Sequence, residues 1–71
     1  MEVLVFKTGV IDTEHIGTIA PHLNSMNGIY KWSFDLDDSE KILRVEAVGI
    51  SPREIENVLN GMNYYCEELP D

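Results

Sequence analysis

The chain has 71 residues, of which 44% are hydrophobic and 25% are charged, so we expect one small globular domain over residues 1–71 rather than disorder. Thirteen acidic residues against five basic ones give a formal net charge of −8, which disfavours nucleic acid and membranes as partners. The charge would suit a basic protein or a cation, but the favoured explanation is that it keeps a small domain soluble. Cys66 is the only cysteine, so an intrachain disulfide is excluded. With no apolar run long enough to span a membrane and no basic leader segment, the expected location is the cytoplasm.

The first third of the chain predicts a strand followed by a helix. Residues 3–6 are apolar at every position, which is typical of a central strand. Asp12 or Thr13 can cap the helix that follows. Pro21 lies inside it, so we expect either a kinked helix or one that starts later, at Thr18. The apolar face of the helix repeats at helical spacing: Ile16, Ile19, Ala20 and Leu23.

The middle of the chain predicts a β-hairpin. A polar turn at residues 37–40 separates a first strand from a second one at residues 42–48. The acidic residues around this turn lack the glycine and the distal glutamate of an EF-hand, so a solvated turn is favoured over a calcium site. In the first strand, four large apolar residues alternate with polar ones and are expected to face the core: Tyr30, Trp32, Phe34 and Leu36.

A second helix and a short strand complete the chain. Ser51, followed by Pro52 and by Glu54 at the third helical position, forms a capping-box sequence. Asn63 is suited to the left-handed residue that follows a helix. Residues 64–69 then predict a final strand, in which Cys66 is expected to be a small buried side chain.

The order of the elements, β-α-β-β-α-β, predicts an α+β fold of the ferredoxin-like kind, an open-faced sandwich. Two right-handed crossovers place both helices on one face of an antiparallel sheet with strand order 4-1-3-2. The other face of the sheet is then uncovered.

Motifs along nearly the whole chain resemble the heavy-metal-associated domains of copper chaperones and copper-pump N-termini. That family carries Gly-Met-x-Cys-x-x-Cys after its first strand. Here residues 9–15 occupy this loop, and Asp12 and His15 stand at the positions of the two cysteines. Because Cu(I) is held by two thiolates, the resemblance does not imply copper-chaperone activity for this chain. The other matching segments are Met26-Asn27-Gly28-Ile29, Asp35-Leu36, Ser51-Pro52-Arg53-Glu54-Ile55 and Asn63-Tyr64.

Three non-enzymatic functions are open, since no nucleophile, histidine and acid stand in a catalytic arrangement. The first is a protein–protein interaction module that has lost the Cu(I) dithiolate site and acts on an unidentified protein partner, as a monomer or weak homodimer. The second is a weak divalent-metal site formed by Asp12 and His15 with Glu14 as a third ligand, although helix capping explains Asp12 better. The third is a dimeric regulatory module for a small ligand. No cofactor is expected beyond such a weakly held metal.

Overall fold

In the computed structural model, which describes residues 1–70, the chain forms four strands and two helices in the predicted β-α-β-β-α-β order. Their bounds are β1 (Glu2–Thr8), α1 (Thr13–Ser25), β2 (Ile29–Asp35), β3 (Ile42–Ala47), α2 (Pro52–Gly61) and β4 (Cys66–Glu68). Neither helix in these residues has both the length and the apolar character required to cross a membrane.

The four strands form one antiparallel sheet in the order β2-β3-β1-β4. This is the predicted order 4-1-3-2 read from the opposite edge. Strand β1 lies between β3 and β4, and it pairs with β4 through Phe6 opposite Glu68. The continuous apolar run at the start of the chain therefore does mark a central strand, because both of its edges are hydrogen-bonded.

The core lies on one face of this sheet. Both helices contribute to a single buried cluster, α1 through Ile19 and Leu23 and α2 through Ile55 and Leu59. Removing a side chain of this size from water stabilises the fold by about 1.5–3 kcal/mol. The opposite sheet face lies outside this core and includes several exposed residues: Val3, Lys7, Lys31, Ser33 and Arg44. The sheet residues buried under the helices are Leu4, Phe6, Leu43, Val45 and Ala47.

Helix α1 begins at Thr13, one residue after its N-cap. Asp12 has extended backbone angles, and its side chain accepts a hydrogen bond from the N–H of His15. The helix continues through Pro21 to Ser25, so the alternative of a later start at Thr18 is wrong. Proline lacks an N–H group and removes only one helical hydrogen bond. The capped first turn of α1 precedes Pro21. The buried residues Ile19 and Leu23 lie on either side of Pro21 and hold this part of the helix against the core.

Helix α2 begins and ends as predicted. The N–H of Ser51 donates to Oε2 of Glu54 at 2.8 Å, and Pro52 is the first helical residue. At the other end, Asn63 adopts the left-handed conformation with φ of 68°. The N–H of Tyr64 then reaches back to the carbonyl of Leu59 at 3.0 Å. These contacts satisfy backbone groups that a helix end leaves unpaired.

Two predictions for the strands are wrong. Tyr30 does not face the core, since 68% of its surface is exposed. A β-bulge between Ile29 and Lys31 adds a residue to β2, so Ile29 and Trp32 both pack against the core while Tyr30 does not. Strand β4 is limited to Cys66–Glu68 rather than 64–69, because the N–H of Tyr64 is used to close helix α2.

Candidate functional site

The loop between β1 and α1 is anchored by Thr8, whose side chain is buried. Its hydroxyl donates to the carbonyl of Lys41 at 2.6 Å and accepts from the N–H of Val10 at 3.2 Å. Its own N–H donates to the carbonyl of Glu40 at 3.2 Å. Thr8 therefore ties the start of the loop to the turn between β2 and β3, and the two segments lie at the same end of the molecule.

The next residues fix the loop against the C-terminal part of the chain. The N–H of Gly9 donates to the carbonyl of Tyr65 at 2.9 Å, and a Cβ at Gly9 would lie 3.3 Å from the Cβ of Tyr65. Val10 is completely buried, whereas Ile11 is 64% exposed. Val10 is thus part of the core, and its neighbour Ile11 is presented to solvent.

Asp12 and His15 lie together at the first turn of α1. Oδ1 of Asp12 is 3.0 Å from the backbone nitrogen of His15 and 3.7 Å from its Nδ1. The imidazole packs against the ring of Tyr64, with centroids 5.2 Å apart. Nδ1 of His15 is shielded from solvent and has no hydrogen-bond partner among residues 1–70. The arrangement is a capped helix start with a half-buried histidine beside it.

The structure brings together only two of the three residues considered as metal ligands. Glu14 is exposed in the first turn of α1. Within the part of the chain that the structure describes, no three His, Cys, Asp or Glu side chains are grouped to hold a metal ion. The predicted capping role of Asp12 is confirmed, and metal binding by Asp12 and His15 stays a prediction.

One end of the molecule carries a concentration of negative charge, which we call the acidic loop end. It combines two segments, the residues at the start of α1 and the turn after β2. The hydrogen bonds of Thr8 hold these two segments at the same end of the molecule. The only lysine in that turn, Lys41, donates from Nζ to the carbonyl of Leu36 at 2.8 Å. The acidic loop end consists of six exposed residues: Ile11, Asp12, Glu14, Asp37, Asp38 and Glu40.

A separate groove lies on the uncovered face of the sheet. Its volume is about 380 Å³, and Arg44 stands opposite Val5 on one side and Ser33 on the other. Sequence reasoning missed it, because these residues meet only once the strand order and register are known. The complete lining is Val5, Ser33, Asp35, Asp38, Ile42 and Arg44.

Cys66 is buried, as predicted. Only 4% of its surface is exposed. Removal from water, followed by the negative charge of Glu56, raises the pKa of the Cys66 thiol to about 12. The thiol is therefore protonated at neutral pH, which leaves almost no thiolate to act as a nucleophile.

Comparisons with protein-family models, with curated proteins and with solved structures gave no match. The resemblance to heavy-metal-associated domains therefore rests on the short motifs of the sequence, and the site has to be interpreted from its own geometry.

Proposed function

We propose that this chain is a non-enzymatic protein-interaction module, a ferredoxin-like domain of the heavy-metal-associated kind that has lost its Cu(I) site and acts in the cytoplasm. The observation that carries the proposal is the acidic loop end. Beside its carboxylates it presents Ile11, a large apolar side chain that is 64% exposed and directly precedes Asp12 in the chain. An exposed apolar residue within a charged rim is typical of a protein contact surface.

Charge indicates the class of partner. The acidic loop end has five carboxylates, and its neighbour Lys41 is hydrogen-bonded to Leu36 within the turn. No arginine or lysine among residues 1–70 forms an ion pair with any of these carboxylates. Such a surface attracts a basic protein and accelerates its association. The partner is therefore a protein with a basic surface and an apolar recess that takes Ile11.

The rigidity of the loop favours docking over catalysis. The N–H groups of Gly9, Val10 and His15 are all used in internal hydrogen bonds. A loop held in this way presents Ile11 in one conformation, which lowers the entropy lost on binding. The same bonds leave few free donors to stabilise an anionic intermediate.

Affinity capture from an extract of the cells that produce the protein tests the proposal. The wild-type chain should retain a protein that mass spectrometry identifies and whose sequence is basic. Ile11→Asp and the double variant Asp37→Lys, Glu40→Lys should lose it. Val3→Asp is the matched control, because Val3 is also an exposed apolar residue but lies on the uncovered sheet face. An acidic partner, equal capture by Ile11→Asp, or no specific partner would contradict the proposal.

A weak divalent-cation site is the second candidate, and one observation favours it. The carboxylate of Asp12 and Nδ1 of His15 approach to 3.7 Å, and this nitrogen has no other polar partner within residues 1–70. Zn²⁺ accepts both kinds of ligand. With two protein ligands the site would be open and of low affinity.

A further inference from the structure

Arg44, on the uncovered face of the sheet, forms no ion pair with any of residues 1–70. It is exposed on β3, opposite Val5 of β1 and Ser33 of β2. In the described part of the chain the only contact between a basic group and a carboxylate is that of His15 with Asp12. In a protein of net charge −8, an arginine without an acidic partner leaves its guanidinium available for a planar anion such as a carboxylate.

The groove around Arg44 has an apolar part and an acidic part. Val5 and Ile42 are half-buried and provide apolar surface. Asp35 pairs with Ile42 across the strands, and Asp38 follows in the turn. A volume of about 380 Å³ lies at the lower end of the roughly 300–1,000 Å³ usual for small-molecule sites.

The positive and negative groups of the groove are separated. Asp35 is a diagonal neighbour of Arg44, since its direct partner Ile42 is two residues away. The backbones of diagonal neighbours in an antiparallel pair are about 7–8 Å apart, and Arg44 and Asp35 do not form an ion pair with each other, so both charges are available to the two ends of one ligand. One oxygen of Asp38 already accepts from the N–H of Glu40 at 2.8 Å, so Asp35 is the freer acceptor.

We propose that this groove binds a free α-amino acid with an apolar side chain. Arg44 pairs with the carboxylate of the amino acid, and Asp35 accepts a hydrogen bond from the ammonium group of the amino acid. The apolar side chain of the amino acid lies on Val5 and Ile42. This binding is a function separate from docking at the acidic loop end. The groove shares only one residue, Asp38, with the acidic loop end.

An NMR titration with three related compounds tests the ligand class. L-leucine carries both charges, leucinamide lacks the carboxylate, and N-acetylleucine lacks the ammonium group. A small ligand in an open groove is expected to bind in the millimolar range, so each compound is added to about 10 mM. Leucine should shift the amide resonances of Val5, Ser33, Ile42 and Arg44, and both analogues should bind at least about tenfold more weakly.

Variants test the assigned roles. Arg44→Gln and Asp35→Asn should each weaken leucine binding about tenfold or more. Lys31→Gln is the matched control, because Lys31 is an exposed cation on the same sheet face that does not line the groove, and it should bind like wild type. All three positions are exposed, so the amide spectrum of each variant should stay that of the folded protein. The proposal is overturned if leucine leaves the groove resonances unmoved, if either analogue binds as well as leucine, or if Arg44→Gln binds like wild type.

Discussion

The carboxylate of Asp12 holds the backbone N–H of His15 at 3.0 Å and lies 3.7 Å from the imidazole of the same residue. In the family that the motifs resemble, these two positions are the cysteines that bind metal. Here Asp12 is the N-cap of helix α1, and His15 packs on Tyr64. The contact between Asp12 and His15 is a helix cap. Substitutions at Asp12 can distinguish the contribution of its hydrogen bond from that of its negative charge.

Replacing Asp12 with alanine should lower the free energy of unfolding by about 1 kcal/mol, because the first turn of α1 loses its side-chain cap. Asp12→Asn keeps an acceptor oxygen and should be close to wild type. Asp37→Ala is the control for losing one exposed acidic residue, with an effect within about 0.5 kcal/mol. Urea denaturation measures all three. Equal stability of Asp12→Ala and Asp37→Ala would show that the cap contributes nothing.

Zinc should bind no more tightly than the millimolar range. Asp12 and His15 supply only two ligands, whereas stable zinc sites use three or four. The amide resonances of residues 12–15, followed during titration with Zn²⁺, measure the affinity, and His15→Gln serves as the control. A micromolar dissociation constant that His15→Gln abolishes would contradict this prediction and favour the metal-binding alternative.

The order of elements and the sheet topology could be predicted because local signals agree along the chain. The capping residues Asp12 and Ser51 mark both helix starts, and Asn63 marks the end of the second helix. Each of these residues acts on backbone groups within a few positions of itself. Apolar periodicity then fixes the faces that the helices bury.

The exposure of Tyr30 and the groove around Arg44 could not be predicted in the same way. A β-bulge depends on the pairing of β2 with β3, and period-two alternation cannot show where a residue is inserted. The groove combines residues from β1, β2, β3 and the following turn, so it exists only in the assembled sheet. At the loop end the capping role of Asp12 was predicted correctly, but the anchoring role of Thr8 depends on a hydrogen bond 33 residues away in sequence.

Gly28 should not tolerate alanine. Its φ is +99°, and a Cβ there would lie 2.5 Å from the carbonyl oxygen of Val48. The backbone cannot move away freely, because the N–H of Val48 donates to the carbonyl of Gly28 at 2.8 Å. We expect Gly28→Ala to lower the free energy of unfolding by about 1–3 kcal/mol.

The matched control for Gly28 is Gly17→Ala. Gly17 lies within α1, and a Cβ there would meet nothing within 4 Å. This substitution should stabilise the protein by about 0.5–1 kcal/mol. Thermal unfolding distinguishes the two, since 1 kcal/mol moves the Tm of a domain this size by about 4–8 °C. Similar Tm values for the two variants would refute the strain assigned to Gly28.

The stability of the folded protein should fall as the pH rises above about 9 towards 12. Burial and the charge of Glu56 raise the pKa of the Cys66 thiol to about 12 from an ordinary value of 9.0, so between these values the unfolded chain binds fewer protons than the folded one. The free energy of unfolding then decreases with pH, by up to about 1.4 kcal/mol per pH unit for this group. Urea denaturation at several pH values between 8 and about 11 measures the slope.

Cys66→Ala removes this titration and should reduce the slope. Part of the decline should survive, because the pKa of Tyr65 is also raised, by desolvation and by the neighbouring carboxylate of Glu67, and it acts in the same direction. Tyr65→Phe is therefore the companion variant, and the double variant should be the least sensitive to pH. If Cys66→Ala declines with pH as steeply as wild type, the thiol is accessible to water and the burial assigned to it is wrong.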